Sequence, residues 1–190
     1  MTRVLSHHFD DGYRDDPDPW DFAHRFYEQR RYDLTVAALP RARYRRAFEP
    51  ACAVGELTRR LAARCDEVVA CDCSTTVVDH ARATHATLTN VAWSVESVPE
   101  DWPAGRFDLV VLSEIGYYFS PDELAVLRDR AIASVEPGGT LMAVHWLGHS
   151  PDHLLHGDQV HEVLGAGGST LDEGGAYRDD GFRLDWWERR

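Results

Sequence analysis

Two acidic residues set 23 positions apart offer the first chemistry in this sequence: Glu49, which opens the small-residue run Pro50-Ala51-Cys52-Ala53-Val54-Gly55, and Asp72. Tyr44 to Phe48 reads as a strand, and residues 55–64 read as an amphipathic helix with Leu57 and Leu61 on one face. The run between them is therefore a strand-turn-helix junction. Such a junction turns backbone N–H groups and the positive end of a helix toward a ligand at the carboxyl edge of a parallel sheet. An acid about 20 residues further on, at the end of the next strand, is placed to meet ribose hydroxyls. Taken alone, Asp72 fits a helix cap equally well. The run lacks the G-x-G-x-x-G pattern that lets a pyrophosphate approach the backbone, since only Gly55 is present, and the chain has no Lys for a phosphate loop. A nucleoside without phosphates fits better than a dinucleotide.

The elements that must hold this junction follow along the chain. Residues 1–19 are polar and acidic with no periodic apolar face, and they read as an arm. Residues 20–31 read as a helix with Trp20, Ala23, Tyr27 and Arg30 or Arg31 on one side, and residues 32–39 as a second helix that stops at Pro40. After the junction come a strand at 67–71, a helix at 75–86 with Ser74 as N-cap, and a strand at 91–95. The run Phe107 to Leu112 is almost continuously apolar, as expected of a central parallel strand buried on both faces. Ser120 and Glu123 form a capping box for a helix over 121–135, and Pro137-Gly138-Gly139 ends that helix and leads into a strand at 140–146. A short helix at 158–164 precedes two strands, 170–177 and 182–188, joined through Arg178-Asp179-Asp180-Gly181 as an antiparallel hairpin. The alternation predicts an α/β fold: a doubly wound, Rossmann-like, mostly parallel sheet with an antiparallel C-terminal hairpin. It is read as a single domain over 1–190, with the arm at 1–19, a helical lid at 20–43 and the core at 44–190.

Composition narrows the function. A chain of 190 residues that is 44% hydrophobic can bury a core without a staple. No signal-like segment and no long apolar run is present, which predicts a cytoplasmic protein with no membrane partner. A net charge of −12, with the acids spread along the chain, argues against nucleic acid and for a small neutral or cationic substrate. Cys52, Cys65, Cys71 and Cys73 read as small buried hydrophobes, because Cys71-Asp72-Cys73 is a single CxC and not a paired zinc motif. His149 and His153 have metal-like spacing, but the Pro151-Asp152 break opposes one continuous helix there, so that stretch reads as a mobile, substrate-facing loop and no metal is expected.

These residues resemble a family. The run from Glu49 to Gly55 is similar to the first motif of class I S-adenosylmethionine-dependent methyltransferases, an acid followed by G-x-G-x-G, with Ala51 and Ala53 in place of the first two glycines. Asp72 matches that family's ribose-binding acid, the run Phe107 to Glu114 its fourth strand, and Pro137 to Leu141 its turn into the fifth. Asp18-Pro19-Trp20, the run Tyr27 to Arg31, the run Ser113 to Tyr118, and His145-Trp146 resemble the nodulation protein S (NodS-like) branch, which N-methylates an amino sugar.

The resemblance implies S-adenosyl-L-methionine as cofactor and S-adenosyl-L-homocysteine as product. It implies that Glu49 sets the turn near the methionine amino group, Gly55 opens the helix, and Ala51, Cys73 and Ser113 line the same cofactor positions. Asp72 would take the ribose; Glu96 or Ser97 would lie near the adenine amine, with Val98 or Trp102 against the ring. Trp20, Tyr27 and Arg30 or Arg31 would form the lid, an Arg fork suiting the methionine carboxylate, although packing of Trp20 and Tyr27 on the sheet explains the same spacing. An activated sulfonium leaves the protein to orient the acceptor and remove its proton. The candidates are Glu114, Tyr117, Tyr118 and, first, His145, whose other reading is a hydrogen-bonded core histidine. The expected activity is methyl transfer to a small polar acceptor, an amine before a hydroxyl. A nucleoside-binding module without catalysis is the alternative.

Overall fold

Short apolar runs bounded by acids or glycines become the strands of this chain. In the computed structural model, which describes residues 6–190, they are divided between two units, 6–97 and 98–190.

The 6–97 unit runs α1 (Ser6–Asp15), α2 (Phe26–Ala37), β1 (Tyr44–Pro50), α3 (Glu56–Ala62), β2 (Cys65–Asp72), α4 (Thr75–Thr84) and β3 (Val91–Val95). Its strands lie in the order β3-β2-β1, all parallel, with Phe48 opposite Val69 and Asp72 opposite Val95. Ala47, Phe48, Leu61, Val68, Ala70, Val77, Val78 and Ala81 are fully buried between sheet and helices. Ser74 caps α4 as expected, its hydroxyl accepting the Val77 N–H at 3.4 Å. Arg60 of α3 fastens α2 by donating to Asp33 and Gln29, both at 2.6 Å, and by covering the Tyr32 ring.

Two expectations about the N-terminal segment change. Residues read as an arm without a periodic apolar face hold α1, whose Phe9 and Tyr13 pack with Val54, Val77 and Phe22, while the Ser74 hydroxyl donates to Asp10. One apolar residue per turn is enough here because a neighbour supplies the rest of the cluster. Residues 20–25 are turns and not the first part of a helix: the Asp18 carboxylate accepts the Phe22 and Ala23 N–H groups at 2.8 Å, and Arg25 is extended, so α2 starts only at Phe26. From there α2 continues through Arg31-Tyr32 without the expected break.

The 98–190 unit runs β4 (Phe107–Ser113), a 3-10 turn (Gly116–Tyr118), α5 (Pro121–Ser134), β5 (Val135–Trp146), α6 (Gly157–Gly165), a second 3-10 turn (Gly168–Thr170), β6 (Leu171–Arg178) and β7 (Phe182–Arg189). The strand order is β4-β5-β7-β6; β4 and β5 are parallel, and β7 is antiparallel to both β5 and β6, as the hairpin reading requires. Phe107, Leu109 to Leu112 and Leu141 to Val144 have no exposed surface. The Ser120–Glu123 capping box is present. β5 begins directly at Val135, so Pro137-Gly138-Gly139 lies inside the strand; a register shift opposite Phe107 and Leu109 absorbs it. At the end of the sheet, Gly174 and Gly175 of β6 lie under the Trp186 indole, where a Cβ on either would stand 2.3–2.4 Å from the ring. Among the described residues no helix is long and apolar enough to cross a membrane.

Candidate functional site

In the 6–97 unit, the junction after β1 carries three left-handed residues at alternate positions: Ala51 (φ 56°), Ala53 (φ 46°) and Gly55 (φ 82°). Such φ values are ordinary for glycine and cost an L-residue roughly 1–2 kcal/mol. The turn is nevertheless held firmly. Cys52 N–H donates to the Cys71 carbonyl at 3.0 Å, Gly55 N–H to the Cys52 carbonyl at 2.9 Å, and Ala53 N–H to Asp72 Oδ2 at 3.1 Å. At Gly55 space is decisive as well: a Cβ would lie 2.7 Å from the Trp93 ring and 2.8 Å from His85. His85 and Trp93, stacked at 6.1 Å, with His85 Nε2 3.1 Å from the Val54 carbonyl, complete the wall behind the turn. Sequence reasoning passed over both; the only hint was the position of His85 four residues beyond the apolar Ala81.

Asp72 ends β2, 6% exposed, its carboxylate accepting from the Ala53 and Ser74 N–H groups at 3.1 Å. Burial raises its pKa despite those two bonds. The Cys73 N–H and thiol bond the same carboxylate. Glu49, opposite Ala70 on β2, is 2% exposed, and its Oε2 has no hydrogen-bond partner among the described residues. Burial pushes its pKa to about 8, the Thr58 hydroxyl pulling it down and the nearby Asp72 charge pushing it further up. Cys73 is pushed up to about 12, chiefly by burial, so it stays a thiol. Glu96, whose N–H donates to the Asp72 carbonyl at 3.0 Å, carries a second buried carboxylate oxygen without a hydrogen-bond partner.

The strand ends thus bring together Glu49, Ala51, Gly55, Asp72, Cys73, Glu96 and Ser97. Of the four residues expected in a lid, Trp20 is 40% exposed and stacked on Phe22 with its edge to Tyr13, and Tyr27 and Arg30 are half-buried on α2. Arg31 points inward: it is 1% exposed, ion-paired with Glu28, and 4.8 Å from the Tyr32 centroid. Val98 and Ser113, also expected against the cofactor, are buried residues of the 98–190 unit.

In the 98–190 unit, Glu114 follows β4 in a left-handed conformation (φ 56°). Its Oε1 accepts the Trp146 N–H at 2.7 Å and its Oε2 accepts the Tyr117 hydroxyl at 2.6 Å. Tyr117 is face-to-face with His153 at 3.7 Å and edge-on to Tyr118 at 4.9 Å, and His153 meets Trp146 at 5.9 Å. The 147–156 segment, read as a mobile loop, is tied down: Leu154 N–H donates to the Tyr117 carbonyl at 2.8 Å, and His156 bonds the Leu147 carbonyl at 2.7 Å while capping α6. Among the described residues no group of three His, Cys, Asp or Glu is placed to hold a metal.

His145, the first choice as base, has no exposed surface. Its Nε2 accepts the Gly116 N–H at 3.0 Å and its Nδ1 meets His161 Nε2 at 3.1 Å. Both ring nitrogens are in use, so in this arrangement no lone pair is available to an acceptor; the core-histidine reading is the one the geometry supports.

Solved structures share this architecture. The chain superposes on an N-methyltransferase NodS from Bradyrhizobium japonicum in complex with S-adenosyl-L-homocysteine with a TM-score of 0.86, over 98% of this chain and 99% of that one, at 19% identity. A protein from Pseudomonas syringae described as a candidate methyltransferase is 42% identical over 87% of this chain and 100% of its own, with a TM-score of 0.74. The fold is therefore the Rossmann-like α/β fold of these proteins, mostly parallel with an antiparallel C-terminal hairpin. The profile of the nodulation protein S (NodS) family matches residues 9–137, and the chain belongs to that family. Nodulation protein S of Rhizobium tropici is 26% identical over 127 residues, which is 66% of this chain and 53% of that protein. The chain thus spans about half the length of that relative.

Proposed function

We propose that this chain is an S-adenosylmethionine-dependent methyltransferase acting on an amine of a small polar acceptor. The observation that carries the reading is a pair of buried carboxylate oxygens, Glu49 Oε2 at the end of β1 and Glu96 Oε2 just after β3, that lack a hydrogen-bond partner among the described residues. Neither arrangement serves the fold well, because a buried polar oxygen without a hydrogen bond is costly. Both are served by a ligand that brings amine groups. Membership of the NodS family and the homocysteine complex of a fold neighbour support the same choice.

In this reading Asp72 accepts from the ribose hydroxyls and Glu49 faces the methionine ammonium. Glu96 and Ser97 take the adenine amine. Trp20 and Tyr27 cover the site, and Arg30 or Arg31 meets the carboxylate. When bound, the cofactor supplies a methyl group on an activated sulfonium. The chain's own residues must then hold the acceptor in line and take its proton. Glu114, with Tyr117 bonded to it, is assigned the proton, and Tyr118 and Trp146 the acceptor's apolar surface. An amine is favoured because the chain belongs to the NodS family, of which a fold neighbour is described as an N-methyltransferase.

Calorimetry with S-adenosylmethionine and S-adenosylhomocysteine tests the reading. Both should bind, and no binding at about millimolar concentration, where even a weak complex of about 4 kcal/mol would register, overturns it. Asp72→Ala should weaken binding about tenfold or more, the loss of a charge-assisted bond of about 1.5–3 kcal/mol. Binding without transfer to any of a panel of amines and alcohols, followed by mass spectrometry, would instead favour the binding module. The left-handed Ala51 and Ala53 are the feature that keeps that second reading in play.

A further inference from the structure

We propose that His145, His161 and Asp185 form a positioning chain that sets the Gly116–Tyr118 turn, and through it the Tyr117–Glu114 pair, for transfer to the acceptor. The proposal rests on the functional reading above for its catalytic consequence, but its physical core can be tested without it.

The protons in this chain have only one consistent arrangement. Gly116 N–H donates to His145 Nε2 at 3.0 Å, so that nitrogen carries a lone pair and the His145 proton is on Nδ1. His145 Nδ1 then donates to His161 Nε2 at 3.1 Å, which places the His161 proton on its own Nδ1. That nitrogen donates to Asp185 Oδ2 at 2.8 Å. Arg183 donates to the same oxygen at 2.8 Å and balances its charge. The chain therefore runs from one backbone amide, through β5 and α6, to a carboxylate on β7. The residues along it are almost fully buried, at 0%, 1% and 6% exposure for His145, His161 and Asp185.

A proton relay is excluded by the terminus, since a peptide N–H does not ionise in this range. What the chain can do is fix an orientation. Buried polar groups of this kind add little stability compared with apolar packing, and the three bonds of the chain form in only one geometry, Asp185 Oδ1 being left without a hydrogen-bond partner among the described residues. That geometry is transmitted to the turn. Gly116 stands so close that a Cβ would lie 2.3 Å from Val160 and 3.0 Å from His145 Nε2. The next residue, Tyr117, has its ring edge-on to His145 at 5.5 Å and its hydroxyl on Glu114 at 2.6 Å. Burial lowers the His161 pKa against the pull of Asp185, consistent with a neutral imidazole. Burial alone would raise Asp185, but the bonds from His161 and Arg183 outweigh it and keep it an anion.

The test has two arms. Long-range proton–nitrogen NMR of the imidazoles should show both His145 and His161 protonated on Nδ1 alone; a proton on Nε2 of either ring overturns the chain. Asp185→Asn, which removes the charge that orients His161, should mix the His161 tautomers and speed amide exchange at Gly116 by about tenfold or more. It should also lower kcat for methyl transfer by about tenfold or more, leaving cofactor Kd and acceptor KM within about twofold, because a displaced group acts on the transition state more than on binding. Mixed tautomers with unchanged kcat overturn the positioning role. If the protein shows no transfer at all, the functional reading fails, and Gly116 exchange still decides whether the chain holds the turn. Should Asp185→Asn not fold, Arg183→Gln replaces it, with the same direction expected and a smaller change in exchange and kcat; no change in either overturns the role.

Discussion

Burial raises the Glu49 carboxyl from 4.5 to about 8, so its protonation changes in the near-neutral range. Between those two values the native protein holds a proton that the unfolded chain has released, and stability must fall as pH rises, by up to about 1.4 kcal/mol per unit. Glu49→Gln should flatten that slope between about pH 5 and pH 8 in urea titrations; a slope equal to that of the unsubstituted protein would remove Glu49 as its source. A cationic ligand set beside this group would ionise it, so binding of S-adenosylmethionine near pH 7 should release a proton, seen as a dependence of the calorimetric heat on buffer ionisation enthalpy. At this scale the sequence was readable where a residue's role follows from its place in an element. Glu49 and Asp72 stand at strand ends because acids end apolar runs. It was unreadable where partners come from far along the chain: His145 is engaged by a glycine 29 positions before it and a histidine 16 after it, and Arg31 is turned inward by Glu28.

The turn between β1 and α3 shows what an element can impose on its residues. Its left-handed backbone persists at Ala51 and Ala53, so the conformation is set by the surrounding bonds and not by glycine. Ala51→Gly and Ala53→Gly should each raise stability by about 0.5–1 kcal/mol, the relief of the left-handed penalty less the extra freedom of the unfolded chain. Gly55→Ala, which meets Trp93 and His85, should lower it by about 2 kcal/mol or more. Urea midpoints of the three variants check both signs. Most strands, and the pairing of the C-terminal hairpin, were legible in the sequence because buried parallel strands are continuous apolar runs with clear ends and a tight turn joins the last two strands. The misreadings have local causes. Trp20, Ala23 and Tyr27 have helical spacing, yet the backbone between them turns left-handed at Asp21 (φ 58°) and extended at Arg25, which a continuous helix does not allow. α1 was missed because its apolar face is two residues wide and gains its neighbours only through tertiary contact.

Across the whole molecule the net charge of −12 acts on whatever approaches. S-adenosylmethionine carries a net positive charge and its homocysteine product none. If the functional reading holds, the association rate of the donor should fall about threefold or more between about 10 and 150 mM salt, while that of the product should hardly change. Stopped-flow binding of the two compounds separates steering from nonspecific effects, and equal salt dependence would discard it. The same molecule-wide view gives a meaning to the two glycines beneath Trp186. β6 ends the sheet, and the exposed margin of a final strand is a template on which another chain can add. Here that margin is broken: Gly174 and Gly175 interrupt the side-chain row, the register slips between Glu173 and Gly175, and an indole lies over the gap. The irregular strand thus offers no flat, repeating edge to copy, which works against runaway strand-to-strand growth at this margin of the sheet.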